Sequence, residues 1–387
     1  YSTNARLIYQ VTKRDIEPKC AWIDYLGHYI CNNVTFKIDG NVIEDINDQT
    51  IQHYNIRQTN DNTINTLYKM IGHNCELQIP QTKIQKNTIH VPLPMCFEHN
   101  TKALPLIAMT NSNMTMEINT KSLRQLIKTT SDITIKHKGR LKIDLGLSYV
   151  HLDHDTREKF ARSRHEYVYD IKRYMNHTIN SNEDEIKLQL ENPCKEMQWL
   201  YMDQKIYDMK DYWNYTAKPY KLYSPDYVYD NVYEADDVKD FIVNILKSKG
   251  DHHGFDLVTK PVTTALNKYE TEQVVNYIKN RPMNPNPFTE TRLDYSGHNR
   301  FIASGEQSNL VDPLLYYKDT FSPGLNVRSW SRTPKEILHM GYNNYSLCHD
   351  MRLSYKMNVN VVDGEIIIMW TEYNLLRIAS GIASKMW

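Results

Sequence analysis

The sequence has no excess charge of either sign and none of the common catalytic motifs. Its 46 lysines and arginines balance 46 aspartates and glutamates, whereas a protein that holds nucleic acid usually carries a basic excess. It contains no Walker loop and no GxGxxG, GxSxG or HExxH motif. These absences argue against direct nucleic-acid binding and against the enzyme classes that the motifs identify, and we expect no cofactor.

Cysteine pairs and long apolar runs are missing as well. The six cysteines form no CxxC pair, so we expect reduced thiols and no disulfide scaffold. The longest apolar runs, 103–109 and 366–370, are far shorter than the about 20 residues of a membrane-spanning helix, and no signal pattern opens the chain. The length of 387 residues favours two domains, or one large β domain with insertions.

Strict alternation of apolar and polar residues is the strongest local signal. It covers residues 141–149 and 353–361. Successive side chains of a strand point to opposite faces, so each stretch predicts a half-buried antiparallel strand. Two Asp-Gly pairs between apolar runs, Asp39-Gly40 and Asp363-Gly364, predict hairpins because both central turn residues need positive φ.

Helical patterns are few. Apolar spacing and end signals predict a short helix at 155–164 and two longer ones at about 236–250 and 263–279. The longer two lie within 204–290, which we interpret as an insertion in a β framework. No strand–helix–strand rhythm is present, so the pattern favours β-sandwiches or jelly rolls.

Two clusters of His and Asp have ligand-like composition. His151, Asp153, His154 and Asp155 could form part of a metal site, or they could end a strand and cap the following helix. No second cluster with metal-ligand spacing accompanies them, so we favour the helix cap. The adjacent His252 and His253 are interpreted as residues of a solvated turn.

Tyrosine is concentrated between residues 201 and 233, with Trp213 among the tyrosines. Such a segment could stack bases or sugars, or it could form a protein–protein surface, for which tyrosine is well suited. Nearby lysines are diluted by aspartates, and we favour the protein–protein surface. The candidate interface or tower residues are Tyr212, Trp213, Tyr215, Tyr220 and Tyr227.

Several ordered segments resemble one family. Trp22-Ile-Asp-Tyr-Leu-Gly27-His28 precedes a strand that ends at Gly40, and 89–97 with 103–108 reads Ile-His-Val-Pro-Leu-Pro-Met-Cys-Phe and Ala-Leu-Pro-Leu-Ile-Ala. Further segments follow at 152–167, 192–199, 294–301 and 373–383. In this order they resemble the major capsid proteins of nucleocytoplasmic large DNA viruses. The residues that carry the resemblance are Trp22, Gly27, His28, Gly40, Pro92, Pro94, Leu104, Pro105, Pro193, Lys195, Glu196, Trp199, Arg300, Phe301, Asn374, Arg377 and Gly381.

The resemblance implies an all-β fold with minor helical insertions, made of two tandem jelly-roll barrels. Residues 1–164 are expected to form the first barrel, which lacks its early strands in this sequence. Residues 165–387 are expected to form the second, with the tyrosine-rich insertion at about 204–290 rising as an outward tower or lying at a trimer contact.

The resemblance also implies a structural role without enzymatic activity. Three chains are expected to form a pseudo-hexagonal homotrimer, and trimers to tile an icosahedral virus shell. Expected partners are other copies, minor capsid and penton proteins and an inner membrane layer, with assembly in the host cytoplasm and a final place in the virion capsid.

Two alternatives remain open at this stage. One is a double-barrel assembly scaffold that is shed on maturation. The other is a carbohydrate-active β-sandwich enzyme or lectin, which would need a carboxylate pair in a cleft or an aromatic platform for sugars.

Overall fold

The structure of the chain is a computed structural model. It describes residues 20–59, 61–73, 77, 87–98, 102–129, 141–208, 210–216, 286–319, 321–336, 340–348, 350–358 and 363–386. The predicted helices at 236–250 and 263–279 lie outside these residues, as do Tyr220 and Tyr227.

A three-stranded antiparallel sheet organises the first half. Strand β2 (Cys31–Ile38) pairs with β3 (Asn41–Asn47) on one side and with β4 (Met114–Thr120) on the other. Asp39 and Gly40 join β2 to β3 with φ angles of 51° and 81°, which confirms the predicted hairpin. Helix α2 (Asp48–Gln58) follows β3 directly, and the Asn47 side chain caps it by accepting a hydrogen bond from the Thr50 N–H at 2.8 Å.

Shorter elements surround this sheet. Among the residues that the structure describes, a two-stranded pair joins β1 to β5, and four α-helices besides α2 and a 3₁₀ turn precede the second half. Their bounds are β1 Cys20–Trp22, α1 Leu26–Ile30, α3 Asp61–Ile71, the 3₁₀ turn Leu106–Ala108, α4 Leu123–Leu126, β5 Ile127–Thr129 and α5 His154–Arg162. Helix α5 confirms the short helix predicted at 155–164.

Two facing sheets form the second half. One has the strand order β10-β9-β13-β7. The other has the order β11-β8-β14-β15, with β12 also paired to β8 and β6 to β14. Their bounds are β6 His165–Ile179, β7 Glu183–Lys187, β8 Pro193–Asp203, α6 Gln204–Asp208, β9 Phe288–Tyr295, β10 His298–Ser304, β11 Asn326–Ser329, β12 Asn343–Asn344, a 3₁₀ turn Tyr345–Leu347, β13 Arg352–Met357, β14 Gly364–Ala379 and β15 Ile382–Lys385.

One apolar core lies between these two sheets. Ile186, Leu293 and Leu353 from the first sheet pack in the same buried cluster as Trp199 and Ile368 from the second. In β13 the alternating residues Leu353, Tyr355 and Met357 are buried, which confirms that part of the strand predicted at 353–361. The second half is therefore a β-sandwich, in agreement with the predicted β framework.

The two halves share one hairpin-to-helix connection. In the first half the β2–β3 hairpin leads directly into α2. In the second half the β9–β10 hairpin turns at Ser296-Gly297, with φ of 54° and 74°, and leads into a helix formed by the consecutive π-helical turns Gln307–Val311 and Pro313–Tyr317. We call this the 307–317 helix. In both halves the first hairpin strand also pairs with a later strand, β4 or β13.

The alternating stretch 141–149 is not a half-buried strand, so this prediction was wrong. Its five apolar side chains are between 49% and 60% exposed, and the stretch belongs to none of the strands found in the described part of the chain. Alternation shows only that one side of a strand could be buried. Burial also needs a neighbouring strand or core, and no described strand covers these five side chains.

The hairpin predicted at Asp363-Gly364 was also wrong. Strand β13 belongs to the sheet of β7 and β9, whereas β14 pairs with β6 and β8 in the other sheet. The connection thus carries the chain from one layer of the sandwich to the other. A turn signal is local and does not identify the strand that a segment pairs with.

No helix among the described residues is long and apolar enough to cross a membrane.

Candidate functional site

The His151–Asp155 cluster caps a helix. The Asp153 Oδ1 accepts a hydrogen bond from the Thr156 N–H at 2.8 Å, and hydrogen bonding from Thr156 lowers the pKa of Asp153. This confirms the favoured interpretation of the cluster. Within the described ranges no group of three or more His, Cys, Asp or Glu could hold a metal ion.

Tyr212 and Tyr215 are buried inside the chain, so the prediction that they form an outer contact surface was wrong. The Tyr215 Oη donates to the Gln49 Oε1 at 2.7 Å, and the Tyr212 carbonyl accepts from the Tyr29 Oη at 2.5 Å. Both tyrosines thus connect the first-half helices α1 and α2 to the chain that follows β8. The sequence shows the apolar area of these rings but not that the first half covers them.

Trp213 is half-buried in the same aromatic cluster. Its ring centroid lies 4.8 Å from that of Tyr25 and 5.4 Å from that of His53. Burial lowers the pKa of His53 to about 3, so its imidazole is neutral and stacks as an aromatic ring. Trp213 thus packs against both of these rings inside the chain, which argues against its use as an open platform for sugars or bases.

The motif residues Lys195 and Glu196 lie on β8 at the junction of the two halves. The Glu196 Oε1 is 2.7 Å from the Arg57 Nη1 of α2, and both side chains are almost fully buried, at 2% and 4% exposure. Glu196 also accepts from the Thr371 Oγ1 at 3.0 Å and from the Tyr317 hydroxyl. The neighbouring Lys195 Nζ donates to the Asp170 Oδ2 at 3.0 Å.

A second buried ion pair lies beside the first. The Glu44 Oε1 of β3 accepts from the Lys172 backbone N–H of β6 at 2.9 Å and lies 3.5 Å from the Lys172 Nζ. The Glu44 Oε2 accepts from the Cys96 backbone N–H at 2.6 Å. Burial is the largest single influence and would lower the pKa of Lys172, but the Glu44 carboxylate, with smaller effects from Tyr54, Cys96 and Glu98, more than offsets it, and the pKa is raised. Lys172 is therefore held charged and paired.

The space between these pairs is too small for a substrate. A cavity of about 20 Å³ is lined by residues that include Tyr54, Arg57, Lys172 and Glu196. A cavity of this volume has room for about one water molecule. The charges of Arg57 and Lys172 are paired with those of Glu196 and Glu44 across the junction. The arrangement therefore joins the two halves of the chain.

The remaining predicted motif residues are distributed through the fold. Those that are buried are Gly27, His28, Pro94, Pro105, Trp199, Phe301 and Asn374, those half-buried are Trp22, Pro92, Leu104, Pro193 and Gly381, and those exposed are Gly40, Arg300 and Arg377. Gly27 allows a close approach, since a Cβ there would lie 2.9 Å from the Ile71 carbonyl oxygen. The buried His28 Nε2 lies 3.1 Å from the Asn55 Nδ2 of α2, and burial lowers the pKa of His28 to about 3.

The junction partners Arg57, Glu44, Lys172 and Asp170 were not predicted from the sequence. Each is a charged residue in a polar segment, where exposure to solvent is the ordinary expectation. Nothing in the local pattern identifies them, because their partners are distant in the sequence.

Two family models of viral capsid proteins match the chain. Residues 156–384 match the family model described as the large eukaryotic DNA virus major capsid protein, and residues 3–169 match that of the major capsid protein N-terminus. The major capsid protein of Phaeocystis pouchetii virus is 21% identical over 424 aligned positions, which cover 93% of this chain and 81% of the relative.

Two solved structures share the fold. The Faustovirus major capsid protein superposes with a TM-score of 0.65 at 10% identity, covering 94% of this chain and 74% of that chain. The PBCV-1 VP54 crystal structure, fitted into a reconstruction of the virophage Sputnik, gives a TM-score of 0.60 at 16% identity, covering 96% and 88%. These likenesses confirm the predicted double jelly-roll fold.

The family match also decides between the classes of function. The matched relatives are structural capsid proteins, so the chain is a structural component and not an enzyme, and the carbohydrate-active alternative was wrong. The chain belongs to the family of major capsid proteins of large eukaryotic DNA viruses.

Proposed function

We propose that three copies of this chain form a pseudo-hexagonal capsomer and that these capsomers tile an icosahedral shell. A chain with two similar barrels contributes two of six corners, so a trimer approximates a hexagon. We propose the barrel boundary near residue 164, between helix α5 and the long strand β6.

The buried ionic junction carries this proposal. A trimer approximates a hexagon only if the two barrels of each chain keep one fixed mutual orientation. The Arg57–Glu196 and Lys172–Glu44 pairs join α2 and β3 to strands β8 and β6 with little exposure to water. Buried charges tolerate little displacement, because separating them leaves a charge in a low-dielectric environment. The pairs therefore favour a rigid two-barrel block.

The oligomeric state tests this proposal. We expect the purified chain to have three times its monomer mass of 45.7 kDa by light scattering, and its particles to show a six-cornered outline by electron microscopy. A chain that stays monomeric or dimeric at micromolar concentration under conditions where it is folded would contradict the capsomer.

We infer further that the chain remains in the finished shell, beside minor capsid and penton proteins and over an inner membrane layer, after assembly in the host cytoplasm. Quantitative mass spectrometry of purified mature particles should find this chain among their most abundant proteins. If it is abundant in immature particles and absent from mature ones, the chain is an assembly scaffold instead.

A further inference from the structure

The 307–317 helix has its apolar side outward. Leu310, Val311, Leu314 and Leu315 are between 51% and 65% exposed. The side that faces the sandwich carries Ser308, Asn309, Asp312, Pro313 and Tyr317, all of which are buried. A surface helix ordinarily does the reverse, with its apolar stripe on the core and its polar side in water.

Hydrogen bonds on the inner side fix this orientation. The Asn309 Nδ2 donates to the carbonyls of Leu325 at 2.7 Å and Ser322 at 3.2 Å. The buried Asp312 Oδ2 accepts from the Arg328 Nη1 of β11 at 3.3 Å. Rotating the helix to bury its leucines would break these bonds and leave buried polar groups without partners. The apolar face is therefore held outward.

The equivalent helix of the first half indicates what covers such a face. Helix α2 follows the β2–β3 hairpin as the 307–317 helix follows β9–β10, yet α2 is buried on nearly every side. The second half supplies part of its covering, through Arg57 and Glu196 at 2.7 Å and through Gln49 and Tyr215 at 2.7 Å. The helix after the first hairpin is thus an element that lies between one half of the chain and the other.

We propose that the exposed face of the 307–317 helix packs on the first half of a second copy of this chain. This inference rests on the proposed trimer. A threefold ring needs a heterologous contact, in which two different surfaces of each chain meet. Two kinds of contact would then alternate around the ring. Helix α2 lies at the contact between the two halves of one chain, and the 307–317 helix lies at the contact between neighbouring chains.

The chemistry of the face fits a protein partner. Four exposed aliphatic side chains form an apolar patch, and the polar residues Glu306, Gln307 and Lys318 lie at the two ends of the helix that carries it. An apolar centre with a polar rim is the usual arrangement of a protein interface. Helices that lie on anionic membranes carry lysine and arginine on their polar side, whereas here that side is buried and bears Asp312.

The first test compares two variants with the wild type. We expect Leu314→Glu/Leu315→Glu to stay folded, since both positions are exposed, and to raise the apparent dissociation constant of the trimer on the order of 100-fold by light scattering. The control is Leu347→Glu, which adds a charge at an exposed leucine outside the helix and should leave the trimer unchanged. A wild type that is not trimeric contradicts the proposed function. If the wild type is trimeric and the double variant has the same apparent dissociation constant, the result contradicts only the proposed contact through this face.

A second test maps the contact. The photo-crosslinker p-benzoylphenylalanine is placed at Leu314 in a mixture of isotopically labelled and unlabelled chains. Cross-links between differently labelled chains should fall within residues 20–129. Cross-links confined to the same chain, or to the second half of another copy, would overturn the proposal. Vesicle binding would also overturn it. If the wild type co-sediments with phosphatidylserine vesicles and the double variant does not, the face is a membrane contact.

Discussion

Glu196→Gln should destabilise the folded chain by about 3–5 kcal/mol, because it leaves the buried Arg57 guanidinium without its counter-charge. The glutamine keeps the size of the side chain, so the loss reports charge pairing and not a cavity. We expect the midpoint of thermal unfolding to fall by several degrees in differential scanning calorimetry.

The chain offers a matched control for this variant. Arg377 and Glu166 form another pair at 2.7 Å, but their side chains are 45% and 52% exposed. An exposed pair contributes about 0–1 kcal/mol, so Glu166→Gln should change the midpoint little. If the two variants lose the same stability, the junction between the halves does not depend on its buried charges.

Gly305→Ala should destabilise the second half by about 3 kcal/mol or more, because there is no room for a methyl group at this position. Gly305 lies between β10 and the 307–317 helix. A Cβ there would fall far inside van der Waals contact of the Phe288 carbonyl oxygen and 2.9 Å from the carbonyl carbon. Backbone atoms cannot rotate away as a side chain can, so the start of the helix would have to move.

Gly146→Ala is the control for this substitution. Apart from its two chain neighbours, no residue has a heavy atom within 4 Å of the position that its Cβ would take. We expect its denaturant midpoint to equal that of the wild type, and that of Gly305→Ala to be clearly lower. A Gly305→Ala chain with unchanged stability would show that the approach of β9 to this glycine is looser than described.

Local chemistry made part of the fold predictable. Asp39-Gly40 formed its hairpin because positive φ at two adjacent residues is a property of those residues alone. The Asp153 cap was predictable for the same reason, since the acceptor and the N–H are three residues apart. The double jelly roll could not be predicted from local signals. It was predicted from the order of several segments along the chain, which resembles that of a known family.

Predictions that depended on a distant neighbour failed. The stretch 141–149 has the period of a strand, but burial is decided by what lies beside it. Tyr212 and Tyr215 have the composition of an interface, and the first half of the same chain covers them. The junction charges could not be found, because Arg57 and Glu196 are brought together only by the packing of α2 on β8.

The depth of the Arg57–Glu196 pair has a consequence for dismantling a shell. Dissolved ions screen charges over about 8 Å at physiological ionic strength, but they act through water and reach exposed groups far more than buried ones. Concentrated salt should therefore weaken contacts that rely on surface charge, such as Arg377 with Glu166, and leave the two barrels of a chain packed against each other. A chain that salt releases from the shell would therefore stay a rigid two-barrel unit, and its barrels would not move independently.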